Sequence, residues 1–79
     1  MTFNEAFEAV RTSTAKVMAV DTSAMTMEGT LGDLGANSVD RADIVTQSML
    51  ELHVKVPPRE FKEVTDIRSL VGLLQSHVS

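Results

Sequence analysis

Residues 31–45 read LGDLGANSVDRADIV, and in this stretch a turn-rich segment gives way to a helical pattern. Gly32 and Gly35 permit tight turning of the backbone before the helix. Ser38 stands where the helix should start, and a serine there is commonly an N-cap. The same position sets a hydroxyl beside unpaired N–H groups and the positive end of the helix dipole, where a phosphate ester would be stabilised. Local physics favours the cap and leaves the second role open.

The segment after Ser38 is predicted to be a helix over residues 38–52. Apolar residues recur along it at helical spacing: Val39, Ala42, Ile44, Val45, Met49, Leu50 and Leu52. Its polar face carries Asp40, Arg41, Asp43, Gln47 and Glu51. The helix should end before Pro57-Pro58, because proline supplies no backbone donor and restricts the residue before it.

A first helix is predicted over residues 2–19. Its stripe contains Phe3, Phe7, Val10, Thr14, Val17 and Met18, mostly three or four residues apart. At this spacing the stripe indicates core rather than a binding surface, and the methyl group of Thr14 can pack with it. Thr2 followed by Glu5 predicts a capping box at the start of this helix.

Residues 20–37 have no sustained period and are rich in turn-forming residues, so they predict a long loop. Four apolar side chains should pin it to the core: Met25, Met27, Leu31 and Leu34. Loops of this length in small domains are uncommon and are often functional.

Two further helices complete the prediction. A short helix is expected over residues 58–63, with Phe61 directed inward, and a last helix over residues 66–77, with Thr65 as its N-cap. The apolar face of the last helix is formed by Ile67, Leu70, Val71, Leu74 and Val78. Residues 1–79 are therefore expected to form a single all-α domain, a small four-helix bundle with three main helices, one short helix and a long first loop.

Composition limits the function classes. Hydrophobic residues make up 43% of the chain, which is enough for a core. The net charge of -4 argues against nucleic acid and suits a partner with a basic docking surface. No run approaches the roughly 20 apolar residues that a membrane span needs. The N-terminal residues do not follow the pattern of a signal peptide. We therefore expect a cytoplasmic monomer that binds neither nucleic acid nor membrane.

The sequence contains no pattern of reactive groups that predicts a catalytic centre or a metal site. The chain has no cysteine, so it has no catalytic thiol or thiolate zinc site. His53 and His77 are interpreted as helix-end or surface histidines, without a Ser-His-Asp order around them. Asp40 and Asp43, three apart on one helix, are interpreted as a solvated acidic edge. The run GTLGDLG lacks both the ending of a P-loop and the spacing of a dinucleotide fingerprint.

The run Leu34-Gly35-Ala36-Asn37-Ser38-Val39-Asp40 resembles the modification motif Leu-Gly-x-Asp-Ser-Leu-Asp of acyl carrier proteins. The resemblance extends over the whole chain, including the long loop before the serine and the prolines after it. It implies a carrier rather than an enzyme, with 4′-phosphopantetheine attached at Ser38. A phosphopantetheinyl transferase would supply this group from coenzyme A, and its thiol would carry acyl groups as thioesters.

The longer run Asn-Ser-Val-Asp-Arg-Ala-Asp-Ile-Val, which starts at Asn37, resembles the stand-alone donor carriers of polyketide β-branching cassettes. By this resemblance the cargo is malonyl, decarboxylated to acetyl while on the carrier. The implied partners are an acyltransferase, a decarboxylating ketosynthase and an HMG-CoA-synthase-like enzyme that accepts the acetyl group.

Two residues depart from the usual carrier pattern. Asn37 stands where most carriers have Asp, and Arg41 adds a positive charge to a normally acidic or neutral stretch. Residues 49–52 replace a run of glutamates that fatty-acid carriers often have. The residues predicted to recognise partners are Asn37, Val39, Asp40, Arg41, Asp43 and Met49; Met49 could equally be a rim residue of the core. The substitutions Arg41→Glu and Met49→Glu are each expected to weaken acetyl transfer to the synthase selectively.

Other interpretations stay open on the sequence alone. Ile44, Val56, Phe61 and Ile67 are candidates for lining an acyl cleft, although the pattern favours plain core for them. A general fatty-acid or polyketide carrier is the alternative to the donor carrier. From a different class, an unmodified helical interaction module would use Ser38 only as a cap.

Overall fold

The computed structural model describes residues 2–23 and 25–77, and these form an all-α fold. Three α-helices are present: α1 from Phe3 to Met18, α2 from Ser38 to Leu52 and α3 from Ile67 to Ser76. Two 3-10 helices lie between them, the first over Gly32–Leu34 and the second over Pro58–Glu63. Three main helices, the short helix near residue 60 and a long first loop confirm the predicted bundle. The first 3-10 helix was not predicted.

Helix α1 packs against both α2 and α3. Val10 and Thr14 of its predicted stripe are fully buried, and the aromatic and remaining apolar members pack partly buried against the same core. The Thr14 hydroxyl donates to the Val10 carbonyl at 2.7 Å, so its methyl group can lie in the core without an unpaired polar atom. The stripe is therefore core, as predicted.

The start of α1 follows only half of the predicted capping box. The Thr2 hydroxyl oxygen accepts the Glu5 backbone N–H at 3.2 Å. The same hydroxyl donates to the Glu5 carboxylate at 3.3 Å. Glu5 therefore contacts the Thr2 side chain, whereas a full capping box requires it to accept the Thr2 backbone N–H.

The loop before α2 is held to the core and to α3. Met25 and Leu31 are buried, as the loop prediction required, while Met27 and Leu34 are partly buried against the core. The backbone of the loop also forms hydrogen bonds with α3. The N–H groups of Ile67 and Arg68 donate to loop carbonyls at 2.9 Å each. These bonds satisfy two N–H groups that the first turn of α3 cannot satisfy itself.

The start of α3 differs from the prediction by one residue. Asp66 is the N-cap: its carboxylate accepts the Ser69 N–H at 2.8 Å. Thr65 does not cap the helix, and its backbone N–H donates to the Ser69 hydroxyl at 3.0 Å. Val78, which was placed on the apolar face of α3, lies outside the described residues. The second 3-10 helix contacts α3 and presents Phe61 partly buried against the core, as predicted.

One cluster of buried side chains joins the helices and the loop. Its members are Ala6, Val10, Met25, Leu31, Ala36, Ile44, Val56, Ile67, Leu70, Val71 and Leu74. No helix within residues 2–23 and 25–77 combines the length and apolar character needed to cross a membrane.

Ser13 is an unsatisfied polar group in this fold. Its side chain is fully buried on α1, and its hydroxyl has no hydrogen-bond partner among the described residues. We expect Ser13→Ala to stabilise the protein by about 1 kcal/mol, because it removes a desolvated hydroxyl without leaving a partner behind. For a domain of this size that is a rise of roughly 4–8 °C in melting temperature, measurable by circular dichroism.

Ser48→Ala is the matched control, since Ser48 is equally buried in a helix interior. Its hydroxyl donates to the Ile44 carbonyl at 2.7 Å, so the same substitution removes a formed bond. The gain in helix propensity from alanine is the same in both variants. A melting temperature that falls as far in Ser13→Ala as in Ser48→Ala would contradict the prediction.

Candidate functional site

Ser38 is the first residue of α2, and its side chain is exposed. It is not the N-cap, which corrects the local expectation. Asn37 holds that position, and its side-chain oxygen accepts the Asp40 backbone N–H at 2.8 Å. The Asp40 carboxylate in turn accepts the Asn37 backbone N–H at 3.2 Å, which completes a capping box. The Ser38 hydroxyl is therefore not needed to start the helix.

The capping box changes the interpretation of two predicted recognition residues. Asn37 and Asp40 are joined by two hydrogen bonds, which stabilise the first turn of α2. An aspartate in place of Asn37 would retain the acceptor oxygen, so the cap does not distinguish the two residue types. Both residues therefore have a structural role beside Ser38, and their role in partner recognition stays a prediction.

The chain before Ser38 leaves access to the hydroxyl. Gly35 adopts a left-handed conformation with φ of 91°, which favours glycine, and a Cβ added there would meet no atom within 4 Å. Ala36 is buried in the core and fixes the chain two residues before the serine. The turn thus precedes a serine that lies at the surface, with open space beside Gly35.

A guanidinium group lies beside the hydroxyl. Nη2 of Arg41 donates to Ser38 Oγ at 3.4 Å, and the two residues are three apart on one face of α2. Within residues 2–23 and 25–77, Arg41 has no carboxylate oxygen within 4 Å. The site therefore combines an exposed nucleophilic oxygen with an adjacent cation that forms no ion pair.

Ser38 and Arg41 also line a cleft with a volume of about 270 Å³. The cleft lies between α2, the preceding loop, the second 3-10 helix and the start of α3. Apolar walls come from Phe61, Val64 and Leu70. Asp66 also lines the cleft, and its carboxylate caps α3. The hydrogen bond that this carboxylate accepts from the Ser69 backbone N–H lowers the pKa of Asp66.

The four predicted cleft residues fall into two groups. Phe61 and Ile67 line the cleft beside Ser38. Ile44 and Val56 are almost fully buried in the core cluster and do not line that cleft. A role for Phe61 and Ile67 in holding cargo stays a prediction.

Near the C-terminal end of α2, the structure exposes Leu50 and partly buries Met49. Val39 is 68% exposed and Leu50 is 64% exposed. They are 11 residues apart, which is three helical turns, so they lie on one face with the exposed Asp43 between them. Met49 is partly buried, and its sulfur accepts the Val56 N–H at 3.4 Å. Leu50 was predicted on the apolar surface of the helix together with Val39 and Ala42, and the structure exposes all three.

Two of the three acids on α2 already have contacts within the fold. Glu51 accepts a hydrogen bond from Lys16 of α1 at 2.9 Å, and this contact lowers the pKa of the Glu51 carboxyl. Asp40 is used in the capping box. Asp43 is the exposed acid of the helix without such a contact among the described residues, so we expect electrostatic steering by α2 to depend on it more than on the other two.

The histidines lie at helix ends, as predicted. His53 ends α2 in a left-handed conformation with φ of 56°. His77 follows α3, and its Nε2 lies 2.9 Å from a Glu60 carboxylate oxygen. In the described part of the chain, no three residues among His, Asp and Glu come together as a metal site.

Comparison with known proteins gives a family and two relatives. The family described as "Phosphopantetheine attachment site" matches residues 8–74. The polyketide biosynthesis acyl-carrier-protein AcpK of Bacillus subtilis is 36% identical over 73 residues, which cover 91% of this chain and 89% of AcpK. An acyl carrier protein of Clostridium acetobutylicum is 26% identical over 72 residues, covering 90% of this chain and 94% of that protein.

Proposed function

The chain belongs to the phosphopantetheine attachment-site family of acyl carrier domains, and we propose that Ser38 is the residue that carries the 4′-phosphopantetheine arm. The observation that carries this proposal is the exposed Ser38 hydroxyl, which the capping box leaves free at the mouth of a cleft. The members of this family are carriers rather than catalysts. The absence of a nucleophile-base pair in the sequence agrees with such a role.

The residues at this site fit the group. Attachment requires an accessible oxygen nucleophile, which the exposed Ser38 side chain supplies. In the transfer, the Ser38 oxygen forms a bond to phosphorus and loses its proton, and the nucleotide part of coenzyme A leaves. The product carries a negatively charged phosphodiester, and the Arg41 guanidinium beside Ser38 can accommodate that charge. A phosphopantetheinyl transferase supplies the catalytic groups for this step.

For the cargo, we propose malonyl, decarboxylated on the arm to acetyl, which is then delivered to an HMG-CoA-synthase-like enzyme for polyketide β-branching. Three observations support this subtype. The run from Ser38 to Ile44 resembles the donor carriers of such cassettes. The relative from Bacillus subtilis is named for polyketide biosynthesis. The outer face of α2 carries exposed Val39 and Leu50, where a general fatty-acid carrier would present more acid. An acyltransferase and a decarboxylating ketosynthase are the other proposed partners.

The experiment that separates a donor carrier from a general carrier is a parallel transfer assay. Acetyl-loaded protein is offered to an HMG-CoA-synthase-like enzyme from a β-branching cassette and to a fatty-acid ketosynthase. We expect efficient acetyl transfer to the synthase and poor transfer to the ketosynthase. Equal transfer to both would contradict the donor subtype and support the general carrier, while leaving the attachment at Ser38 intact.

Leu50→Glu is expected to weaken transfer to the synthase about fivefold or more, the effect of losing a contributing apolar contact at an interface. The reason is its exposure on the same face as Val39. Leu50 tests the surface contact more specifically than Met49 does. Met49→Glu would also alter a partly buried side chain whose sulfur accepts the Val56 backbone N–H. The readout is the apparent KM of the synthase for acetyl-loaded carrier, with folding checked by circular dichroism.

Thr12→Glu is the matched control, since it adds the same charge at an exposed position of α1. It should leave the KM near that of the parent protein. If Leu50→Glu behaves like Thr12→Glu, the outer face of α2 does not contact the synthase through Leu50.

A further inference from the structure

We propose that Arg41 is a positioning residue that holds the phosphodiester of the arm at Ser38 and thereby directs the arm into the adjacent cleft. This inference rests on the proposed attachment at Ser38. It assigns Arg41 a role within the carrier itself, in addition to the partner recognition predicted from the sequence.

The first support is the contact between the two side chains. Arg41 Nη2 donates to Ser38 Oγ at 3.4 Å, the oxygen that would become the bridging atom of the phosphodiester. The free phosphate oxygens would be bonded to the phosphorus next to that atom. They would therefore lie within reach of the same guanidinium, which can donate two parallel hydrogen bonds to a phosphate.

The second support is that Arg41 is available for this charge. The ion pairs of the described residues occupy Arg11, Lys16, Arg68 and His77, and none includes Arg41. Asp40, next to Arg41 in the chain, and Asp66, in the lining of the same cleft, each accept a backbone N–H at a helix start. Asp40 accepts the Asn37 N–H, and Asp66 accepts the Ser69 N–H. A phosphodiester at Ser38 would be the first anion to pair with the Arg41 guanidinium.

The third support is the position of this pair relative to the cleft. Ser38 and Arg41 belong to the lining, so an arm that starts between them begins at the cleft mouth. The wall of Phe61, Val64 and Leu70 offers apolar contact, and Thr30 and Thr65 offer hydroxyl groups for the amides of the arm. Holding the phosphate restricts the arm to directions that include this cleft, which lowers the entropy lost on docking.

The expected effect is modest, because Arg41 is exposed and exposed ion pairs contribute little. Loss of the guanidinium should lower the population of docked arm about two- to fivefold, which is the upper part of the range measured for exposed pairs. The interaction should also weaken in high salt, since the Debye length falls to about 3 Å at 1 M.

The test uses isotope-labelled full-length protein, loaded with coenzyme A by a broad-specificity phosphopantetheinyl transferase and compared with its own unloaded form. The readouts are the amide shift changes of Phe61, Val64 and Leu70 on loading and the ³¹P relaxation of the phosphodiester. In the parent protein we expect shift changes at all three cleft residues. In Arg41→Gln these changes should shrink two- to fivefold and the phosphorus should relax as a more mobile group. Arg41→Lys should retain part of the effect.

Arg59→Gln is the matched control, because Arg59 is exposed on the second 3-10 helix and does not line the cleft. It should leave both readouts at parent values. High salt should reduce the shift changes of the parent and leave those of Arg41→Gln unchanged. A purely structural role of Arg41 would not produce this difference in salt dependence.

The outcomes separate the two proposals. If the parent and Arg41→Gln load equally and show the same shift changes and ³¹P relaxation, Arg41 does not position the arm and the proposed function stands. If the parent protein does not load, the attachment at Ser38 is wrong and this inference is wrong with it. Reduced transfer to the synthase with unchanged docking in Arg41→Gln would assign Arg41 to partner recognition alone.

Discussion

Ser38→Ala is expected to abolish acyl loading completely while leaving the melting temperature within a few degrees of the parent value. Loading is lost because the variant has no oxygen at the attachment position. Stability is retained because Ser38 is exposed and Asn37 caps the helix, so the cost should stay within about 0.5 kcal/mol. The measurements are thioester formation after treatment with coenzyme A and a transferase, and thermal unfolding by circular dichroism.

Asn37→Ala is the reciprocal control. It removes the side-chain oxygen that accepts the Asp40 N–H and should cost about 1 kcal/mol, the usual value for an N-cap. It keeps the Ser38 hydroxyl and should still accept the arm. Loading of Ser38→Ala at the parent level would contradict the assignment. Full function of an unloaded Ser38→Ala protein in its pathway would support the unmodified interaction module instead.

Ile44→Ala is expected to have the largest effect on stability. Ile44 is fully buried on α2 and belongs to the central cluster that joins the helices. Truncation of a buried isoleucine costs about 2–5 kcal/mol, because burial is lost and a cavity is left. Total stabilities of small domains are about 5–15 kcal/mol, so this is a large share. We expect the melting temperature to fall by about 10 °C or more.

Ile44→Val is the graded control, with an expected cost of about 0.5–1.5 kcal/mol. Chemical denaturation of the three proteins should give equal slopes and midpoints in the order parent, valine, alanine. If Ile44 instead lined an open cleft that solvent fills, alanine would cost little more than valine. A small difference between the two variants would therefore contradict a core position and favour the cleft.

The helices were predictable because their apolar residues repeat at helical spacing. Predicted and observed bounds agree for 38–52, and differ by one residue at each end for the first and last helices. This agreement follows from core packing, since most residues of each stripe are buried or partly buried against one cluster, with Val39, Ala42 and Leu50 of α2 as the exposed exceptions. Packing on that cluster sets the length of each helix more strongly than the propensity of any single residue.

Two N-caps were predicted one residue away from their observed positions, Ser38 one residue too late and Thr65 one residue too early. Both starts offer two adjacent capping residues, Asn37-Ser38 and Thr65-Asp66. The residue three positions on decides between them. Asn37 and Asp66 are followed there by Asp40 and Ser69, which can return a hydrogen bond. Ser38 and Thr65 are followed by Arg41 and Arg68, and arginine has no acceptor.

Other features depend on long-range contacts that a local pattern does not contain. The loop carbonyls that satisfy the start of α3 come from residues about 40 positions earlier in the chain. The pairing of Lys16 with Glu51 likewise joins α1 to α2 across 35 residues. The cleft beside Ser38 is formed by four separate segments, so its lining could be predicted only in part. The sequence pattern predicted Phe61 and Ile67 in this lining but did not indicate Val64 and Leu70.

The most direct test of the account is the mass of the intact protein after incubation with coenzyme A and a broad-specificity phosphopantetheinyl transferase, followed by fragmentation. We expect a gain of one phosphopantetheine group, located by the fragments on Ser38 and absent from Ser38→Ala. No mass gain under several transferases, or a gain located on another residue, would contradict it.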